Sequence, residues 1–319
     1  MIIVTGGAGF IGSNLINFLE DIKTEEVVSV DWKNHENAHY FKKKDLIKIS
    51  PNNLEKFVNE NKKSIKLIIH LGAITSTTET NAELIIKNNI SLSLFIWSWC
   101  VENKKRLIYA SSAATYGDGS NNFDDQEKKN YLSKLVPLNL YGWSKHLFDK
   151  FVISQKKKPT QYVGLKFFNV YGPNEFHKSE MRSIVLKVFQ KVSNNQTVKL
   201  FKSHHPNYKD GEQMRDFIYV KDVINIIKWF VDNKEINGIY NVGTGNPRSF
   251  YDLATSVFKN SNVKNKIKYI DTPKNIRKQY QYFTKANIKK LRNTGYKKKF
   301  FSLEDGIKDY IRNHLIINL

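Results

Sequence analysis

The stretch TGGAGFIG, residues 5–12, decides the fold because it joins a short apolar run to the first helical pattern. It follows IIVT and supplies Gly6, Gly9 and Gly12 at a three-residue spacing. Glycine lets the backbone turn tightly and approach a pyrophosphate, whose charge then lies on the amides of a helix N-terminus. A purely structural turn is the alternative. The position at a strand end, with Asp31 closing the next strand about twenty residues later, favours a dinucleotide-binding site.

Outward from this stretch, apolar runs alternate with helical patterns through the first half of the chain. The runs are IIVT, VVSVD, KLIIH, RLIYASS and YVGLKFF, and helices are predicted near residues 11–20, 53–61, 81–102 and 141–154. This alternation predicts an α/β fold of the Rossmann type, a doubly wound parallel sheet covered by helices on both faces.

The pattern loosens after residue 168, where a smaller α/β substrate domain is expected. Helices are predicted near 183–192, 220–231, 250 and 303, and short strands at TVKLF and GIYNVG. We therefore expect a dinucleotide-binding domain over 1–168, rejoined by about 216–243, and a substrate-binding domain formed mainly by 169–215 and 244–319.

The chain is strongly basic: of its 319 residues, 51 are Lys or Arg and 30 are Asp or Glu, giving a formal net charge of +21. Such a balance is compatible with nucleic acid, a membrane surface or an anionic small substrate as partner. The excess is mostly lysine in short scattered pieces, such as 42–44 and 297–299, which is typical of a solvated surface. Since the sequence shows no basic face with interleaved aromatics and no reader motif, we expect no nucleic-acid partner.

The single cysteine, Cys100, lies in the apolar run LSLFIWSWCV, so an internal disulfide is excluded and a reducing compartment is favoured. The first strand begins at Ile2, which leaves no room for a signal peptide. No uninterrupted apolar segment approaches the roughly 18 to 20 residues that span a bilayer. These features predict a soluble, cytoplasmic protein with no membrane partner.

The segment YGWSK places Tyr141 and Lys145 on one face of a helix. A neighbouring ammonium and an oxidised nicotinamide favour the phenolate of a tyrosine and so prepare it to act as a base. Such a pair alone is more often a surface coincidence. Ser112, however, follows the strand LIYA at the carboxyl edge of the sheet, where open α/β sheets bind ligands. Ser112, Tyr141 and Lys145 are therefore the predicted catalytic set.

The choice between NAD and NADP depends on the residues that follow the second strand. Asp31 as an acceptor for the ribose hydroxyls would favour NAD, whereas basic neighbours admit the extra phosphate of NADP. Lys33 and the cluster Lys42, Lys43 and Lys44 are such neighbours. The residues alone leave both cofactors open.

Four motifs, TGGAGFIGSN, ASSAATYG, YGWSK and FFNVYGP, resemble in order and separation the extended short-chain dehydrogenase/reductase family, whose members modify nucleotide sugars. The segments HLGAITSTTET, GPNEFHKSEM, RDFIYVKDV, NVGTGNPRSF and QYQYFTKANI are similar to the ADP-L-glycero-D-manno-heptose 6-epimerases of lipopolysaccharide synthesis, and this similarity covers essentially the whole chain. The resemblance implies that carbon 6 of an ADP-heptose is oxidised by bound NADP, with NAD as the alternative. The hydride then returns to the opposite face of the ketone, so an acid/base group is needed on each face.

The resemblance assigns the second acid/base group to Lys178, within an HKxxM segment, and it implies further site residues by position. The cofactor would be lined by Gly6, Gly9, Phe10, Ile11, Gly12, Asp31, Trp32, Leu71, Gly72, Ala73, Ile74, Thr75, Asn88, Tyr141, Lys145, Val170 and Lys178. The substrate would be held by Ser112, Asn169, Glu180, Lys187, Phe201, Lys202, Ser203, His204, Arg215 and Tyr280. Arg215 is also predicted to bind substrate independently of the resemblance, because a planar guanidinium suits a pyrophosphate. The alternative interpretation of Arg215 is a surface ion pair with Asp216.

The sequence departs from the family pattern in three places. SHHPNYKDGEQMRDF is longer than in the best-known members, Trp32 replaces a small polar residue, and Lys187 stands where a histidine is common. These departures concern the substrate loop and the cofactor preference. The resemblance further implies a homo-oligomer, a pentamer in the family.

Two alternatives stay open. Another nucleotide-sugar epimerase or a dehydratase could share the fold, although dehydratases carry an acidic pair after the active-site hydroxyl, where this chain has Ala113 and Ala114. A dinucleotide-binding regulator is the alternative outside the enzymes, and the intact Ser, Tyr and Lys set argues against it. No metal is expected, because the histidines lack a ligand pattern: His70, His177, His204 and His205.

Overall fold

The structure, a computed structural model, describes residues 1–23, 25–32, 40–43, 45–277 and 280–316, with the backbone alone at 275 and 276. Its strands are Ile2–Thr5 (β1), Val27–Val30 (β2), Ile47–Ile49 (β3), Leu67–His70 (β4), Arg106–Ser112 (β5), Gln161–Phe167 (β6), Asn169–Tyr171 (β7), Val198–Phe201 (β8), Met214–Arg215 (β9), Phe217–Tyr219 (β10), Gly238–Val242 (β11), Arg248–Ser249 (β12) and Ile267–Ile270 (β13).

The α-helices are Phe10–Ile22 (α1), Leu54–Glu60 (α2), Ala82–Ile85 (α3), Leu92–Glu102 (α4), Lys129–Leu132 (α5), Leu140–Ser154 (α6), Ile184–Ser193 (α7), Val220–Asp232 (α8), Phe250–Asn260 (α9), Lys274–Arg277 (α10), Lys289–Asn293 (α11) and Leu303–Tyr310 (α12). Short 3₁₀ helices cover Pro51–Asn53, Ala113–Tyr116 and Phe176–Met181. Residues Ile86–Ser91 and Ile311–Leu315 form π-helical turns.

Seven strands form one sheet in the order β11-β6-β5-β4-β1-β2-β3. The pairs of β1 with β2 and β4, of β2 with β3, of β4 with β5 and of β5 with β6 are all parallel. Strands β1, β2 and β4 are buried at every position, as apolar strands covered on both faces must be. The predicted doubly wound sheet is confirmed, and its order reverses at β1, so the carboxyl ends of β1 and β4 flank the crevice where such sheets bind ligands.

The chain divides into two compact units. Unit 1 consists of Met1–Gly117, Asp125–Phe167 and Ile224–Tyr240, and unit 2 of Asp118–Asp124, Phe168–Val223 and Asn241–Leu319. Most of the seven-stranded sheet belongs to unit 1. Unit 2 contains small two-stranded sheets, among them a parallel pair of β8 with β13, together with α7, α9 and α12.

The core of unit 1 forms where α4 packs against the sheet. Trp97, Trp99 and Cys100 join a cluster with buried strand residues such as Ile3 and Leu107. The helical segment Ala82–Glu102 is long and apolar enough to cross a membrane by composition alone. Its burial in this cluster is what a core helix of a globular protein shows.

Unit 2 contains a buried carboxylate that ties three chain segments together. Asp216, with 0% exposure, accepts hydrogen bonds from the Thr244 amide at 2.7 Å, the Gly245 amide at 2.9 Å and the Ala286 amide at 2.9 Å. The surface ion pair with Arg215 that was an alternative from the sequence is therefore not formed, because this carboxylate is buried and already bonded to the backbone. The same bonds fix β9, which carries Arg215.

Candidate active site

The glycine stretch forms a tight turn between β1 and α1. Gly6 has a φ of +67°, and the Gly9 amide donates to the Gly6 carbonyl at 3.0 Å. A Cβ at Gly12 would lie 2.0 Å from that carbonyl oxygen, so a side chain is excluded there. At Gly9 a Cβ would meet only the Gly6 carbonyl group within 4 Å, so the space above the turn is open. The turn is therefore a cradle that fits a pyrophosphate at the start of α1, where Phe10 and Ile11 lie.

Asp31 is attached to this turn by hydrogen bonds to its carboxylate. One oxygen accepts from the Ala8 amide at 2.8 Å and the other from the Trp32 amide at 2.8 Å. The Trp32 side chain is 43% exposed. Asp31 thus links the end of β2 to the glycine turn, in addition to the role toward a ribose that the sequence predicts.

The basic cluster considered for the extra phosphate of NADP is described only in part. Lys42 pairs with Asp21 at 2.6 Å and Lys43 with Glu20 at 3.0 Å, both on α1. Lys33 and Lys44 lie outside the described residues. The two described lysines therefore lie beside the first helix.

The second wall of the crevice is the segment Leu71, Gly72, Ala73, Ile74 and Thr75, which follows β4. Asn89 holds this segment, because its side chain accepts from the Ile74 amide at 2.8 Å and donates to the Ile74 carbonyl at 2.9 Å. The neighbouring Asn88, which is the residue predicted to line the cofactor, donates to the Leu84 carbonyl at 2.8 Å. Both lie in the π-helical turn, a feature that often marks functional sites.

His70, at the end of β4, joins three elements through a buried hydrogen-bond chain. Its Nδ1 lies 2.6 Å from the Thr5 hydroxyl and its Nε2 lies 3.0 Å from the Ser93 hydroxyl. Burial, and after it the charge of Lys145, lowers the pKa of His70 to about 3. The ring is neutral at pH 7 and serves as a structural link. Among the described residues no group of three His, Cys, Asp or Glu side chains could hold a metal.

Tyr141 and Lys145 lie in the first two turns of α6, whose start is capped by the Asn139 side chain. Burial raises the pKa of Tyr141, and its hydrogen bond with Ser112 opposes that rise. Lys145 is 4% exposed, and burial lowers its pKa to about 8, against the opposing charge of Asp149. Unit 1 therefore brings Ser112, Tyr141 and Lys145 together, in an arrangement suited to proton transfer.

Gly142, inside YGWSK, is required by close packing rather than by φ. A Cβ on this residue would lie 2.8 Å from the Ala114 carbonyl oxygen. The first turn of α6 therefore touches the 3₁₀ turn that follows Ser112, which sets the distance between the hydroxyl of β5 and the tyrosine of α6.

Behind this set lies a buried polar network that the sequence analysis did not identify. Asp149 of α6 pairs with Lys166 of β6 at 2.6 Å, and both side chains are at most 2% exposed. The same carboxylate accepts from Tyr109 at 3.1 Å and Ser111 at 2.7 Å, while Lys166 also donates to Thr115 at 2.7 Å. The sequence contained one signal for this network, because Lys166 and Asp149 are charged residues inside the apolar runs YVGLKFF and LFDKFV.

In unit 2, Lys178 lies in the 3₁₀ segment Phe176–Met181. Glu175, with 0% exposure, holds this segment by accepting from the Ser183 amide at 2.5 Å and the Ser183 hydroxyl at 2.7 Å. The next residue, Ser179, has a φ of 45°, which is unusual for a residue other than glycine. Burial lowers the pKa of Lys178, and the charge of Glu175 opposes this.

A cavity of about 780 Å³ lies within unit 2 between α7, β8 and β9. Five of the predicted substrate residues line it: Glu180, Lys187, Phe201, Arg215 and Tyr280. The Arg215 guanidinium lies 5.6 Å from the ring centres of Phe250 and Tyr280, so its planar face is packed between aromatic rings. Burial lowers the pKa of Arg215. This arrangement suits a ligand with an anionic group.

The remaining predicted residues of this unit lie on β7 and directly after β8, outside the lining of the cavity. Lys202, Ser203 and His204 follow β8. Within this loop the Ser203 hydroxyl accepts a hydrogen bond from the His205 amide at 3.1 Å. Asn169 and Val170 lie on β7, where the Asn169 amide donates to the Asp216 carbonyl at 3.1 Å.

Comparison with known proteins gives one family for most of the chain. Residues 2–243 match the model of the NAD dependent epimerase/dehydratase family. The chain is 44% identical to an ADP-L-glycero-D-manno-heptose-6-epimerase of Fusobacterium nucleatum, over 99% of this chain and 98% of the relative. It is 39% identical to an epimerase of the same name from Brachyspira hyodysenteriae, over 97% of this chain and 96% of the relative.

Solved structures show the same architecture. A crystal structure of the ADP-L-glycero-D-manno-heptose-6-epimerase of Helicobacter pylori aligns with a TM-score of 0.77 and 31% identity, over 98% of this chain and 95% of the other. A UDP-N-acetylglucosamine 4-epimerase from Methanobrevibacter ruminantium aligns with a TM-score of 0.83 at 23% identity, over 100% and 98%. At that identity the second likeness concerns the fold alone.

Proposed function

The chain belongs to the NAD dependent epimerase/dehydratase family and, within it, to the ADP-L-glycero-D-manno-heptose-6-epimerases, and on this basis we propose how it acts. It is an epimerase that converts ADP-D-glycero-D-manno-heptose to ADP-L-glycero-D-manno-heptose at carbon 6. The observation that carries this function is 44% identity over 99% of the chain.

In this proposal each unit binds a different ligand. Unit 1, with the glycine cradle and the Ser112, Tyr141 and Lys145 set, binds the dinucleotide, and unit 2, with the cavity around Arg215, binds the ADP-sugar. We infer NADP as the cofactor. Its support is the similarity to the ADP-L-glycero-D-manno-heptose-6-epimerases, and NAD stays the alternative because the Asp31 carboxylate keeps acceptor sites for a ribose hydroxyl beside its two backbone hydrogen bonds.

The chain's own side chains move the protons. A bound nicotinamide would supply the hydride chemistry at carbon 6. Tyr141 removes the proton of the carbon 6 hydroxyl, Ser112 hydrogen-bonds the same oxygen, and the charge of Lys145 favours the phenolate. After the ketone has turned its other face, Lys178 donates a proton to the carbonyl oxygen as the hydride returns.

A direct test follows carbon 6 of the substrate by proton NMR. The purified protein is incubated with ADP-D-glycero-D-manno-heptose, and UDP-glucose serves as the control substrate. We expect the L-glycero epimer to form without added cofactor, because the hydride returns to the same sugar. Denaturing the protein should release NADP. Epimerisation of UDP-glucose with no reaction of the ADP-heptose would overturn the assignment.

The remaining proposals concern the compartment, the pathway and the assembly of the enzyme. We place it in the cytoplasm, in lipopolysaccharide core synthesis, as a homo-oligomer, a pentamer by resemblance. Self-association is supported by apolar side chains on the surface of unit 1, since Trp143 and Leu147, one helical turn apart on α6, are 37% and 45% exposed. Light scattering of the purified protein in solution measures the number of chains in the assembly.

A further inference from the structure

The loop between β8 and β9 starts and ends at the unit 2 cavity. It leaves at Phe201 and returns at Gln213 and Arg215, all of which line the cavity. The Gly211 amide donates to the Phe201 carbonyl at 3.0 Å, and the Gln213 side chain donates to the same carbonyl at 3.2 Å. The two ends are thus fastened to each other, so the loop has a defined position beside the cavity.

The middle of the loop is held by an aromatic cluster of His205, Tyr208, Tyr280 and Tyr282. The Tyr282 ring centre lies 5.4 Å from that of Tyr208, 5.1 Å from that of His205 and 5.4 Å from that of Tyr280. The Tyr282 hydroxyl also accepts from the His204 amide at 2.9 Å. Through this cluster, Tyr208 is joined to Tyr280, a residue of the cavity wall.

The aromatic cluster ends at Arg215, one of the cations that line the cavity. Arg215 is 9% exposed, and Tyr280 packs on it. Burial lowers the pKa of Arg215, and its interactions with Tyr280 and then Tyr208 oppose this. The ring contacts that run from Tyr208 through Tyr282 to Tyr280 lead to this guanidinium. Among the described residues no carboxylate forms an ion pair with Arg215. A nearly buried cation of this kind is stabilised by an anionic ligand.

We propose that Tyr208 is a further substrate-binding residue, whose hydroxyl donates a hydrogen bond to the diphosphate that Arg215 attracts. The inference rests on the proposed function, since it takes an ADP-sugar as the ligand. It assigns a role to the long loop between β8 and β9, which would place the Tyr208 phenol at the side of the cavity where Arg215 lies. A neutral O–H donor beside a guanidinium adds a directional bond to the charge attraction.

The test compares ADP binding by calorimetry for the full-length protein with its cofactor in place. Tyr208→Phe removes the hydroxyl and keeps the ring, so the cluster stays packed. We expect its Kd for ADP to rise about tenfold. The KM for the ADP-heptose should rise by a similar factor with kcat changed less than about twofold, because the bond is made before and during the reaction alike. Tyr251→Phe is the matched control, since Tyr251 is 39% exposed and outside the cluster.

The outcomes separate this inference from the proposed function. If wild-type protein binds ADP and Tyr208→Phe binds it equally well, the inference is wrong while the proposed function stands. This holds even if Tyr208→Leu binds ADP weakly, since the ring alone would then matter. If wild-type protein fails to bind ADP, both the inference and the proposed function are overturned.

Discussion

Tyr141 and Lys178 are the two side chains whose protons decide the proposed reaction, and their surroundings change their proton affinities in opposite directions. Burial raises the pKa of Tyr141, so it needs the nearby positive charge of Lys145 to become a base. Burial lowers the pKa of Lys178, which makes it a better proton donor than a solvated lysine. The proposed cycle assigns one half-reaction to each side chain.

We predict that Tyr141→Phe and Lys178→Met each reduce the rate of epimerisation by ~10² to 10⁴-fold, the usual contribution of a general acid or base. This corresponds to about 3 to 5 kcal/mol of activation free energy. The rate is measured by NMR at carbon 6, with retention of the cofactor as a check on folding. Lys259→Met, at an exposed position of α9, is the control and should leave the rate unchanged. A Lys178→Met enzyme with nearly normal activity would exclude the two-base mechanism.

The sequence predicted site residues that lie in short local motifs, such as the glycine turn and YGWSK. It missed Asn89, Asp149, Lys166 and Glu175, because their roles depend on partners outside their own local motif. Asp149 and Lys166, for example, are 17 residues apart in sequence and meet only when α6 packs on the sheet. The assignments of catalytic and binding roles stay predictions until the variants are measured.

At the scale of elements, His70 connects β1, β4 and α4, and this connection should make stability depend on pH. Its folded pKa is about 3 against an ordinary value of 6.5, so between these values the unfolded chain binds more protons. The free energy of unfolding must therefore fall as the pH falls below 6.5. From pH 6.5 to 5 the loss is about 2 kcal/mol, at about 1.4 kcal/mol per pH unit.

Urea unfolding of the wild-type protein and of His70→Gln at pH 7 and pH 5 measures this loss. The variant lacks the titrating ring, so it should lose about 2 kcal/mol less stability than the wild type over this interval. His146, whose pKa is lowered to about 4, contributes equally to both proteins. Equal losses in the two proteins would show that His70 does not control the acid sensitivity.

The buried pair of Asp149 and Lys166 joins α6 to β6, and we predict that breaking it is more harmful than replacing it. Lys166→Met leaves an unpaired carboxylate in the core, at a cost of about 3 to 5 kcal/mol in the free energy of unfolding. The double change Asp149→Leu with Lys166→Met should be more stable than this single variant. Lys56→Met, in an exposed pair with Glu60, is the control and should have little effect. A single variant as stable as the control would contradict the prediction.

Element prediction succeeded where periodicity is strong. The run RLIYASS is β5 over its whole length, and the helix predicted over 141–154 is Leu140–Ser154. The helix predicted over 81–102 is interrupted by the π-helical turn Ile86–Ser91, which depends on hydrogen bonds that no apolar pattern reports. Short strands such as β3 and β9 were missed because two or three residues carry too little pattern.

At the scale of the whole molecule, the net charge of +21 should produce only weak attraction for nucleic acid. Without a reading motif the driving force is counterion release, which decreases as the salt concentration rises. We predict that a labelled oligonucleotide binds at low salt without sequence preference and is released at moderate salt, as measured by fluorescence anisotropy. Binding that resists salt and depends on sequence would show a nucleic-acid function.

Cys100, the chain's single cysteine, lies in the core of unit 1, where burial raises its pKa and keeps the thiol protonated. The native protein should therefore be nearly inert toward maleimide dyes. A cysteine introduced at the exposed position Asn207 would be the one site that such a dye labels, without removing any native thiol. A fluorophore there would report movements of the loop from β8 to β9, one molecule at a time, while the enzyme turns over.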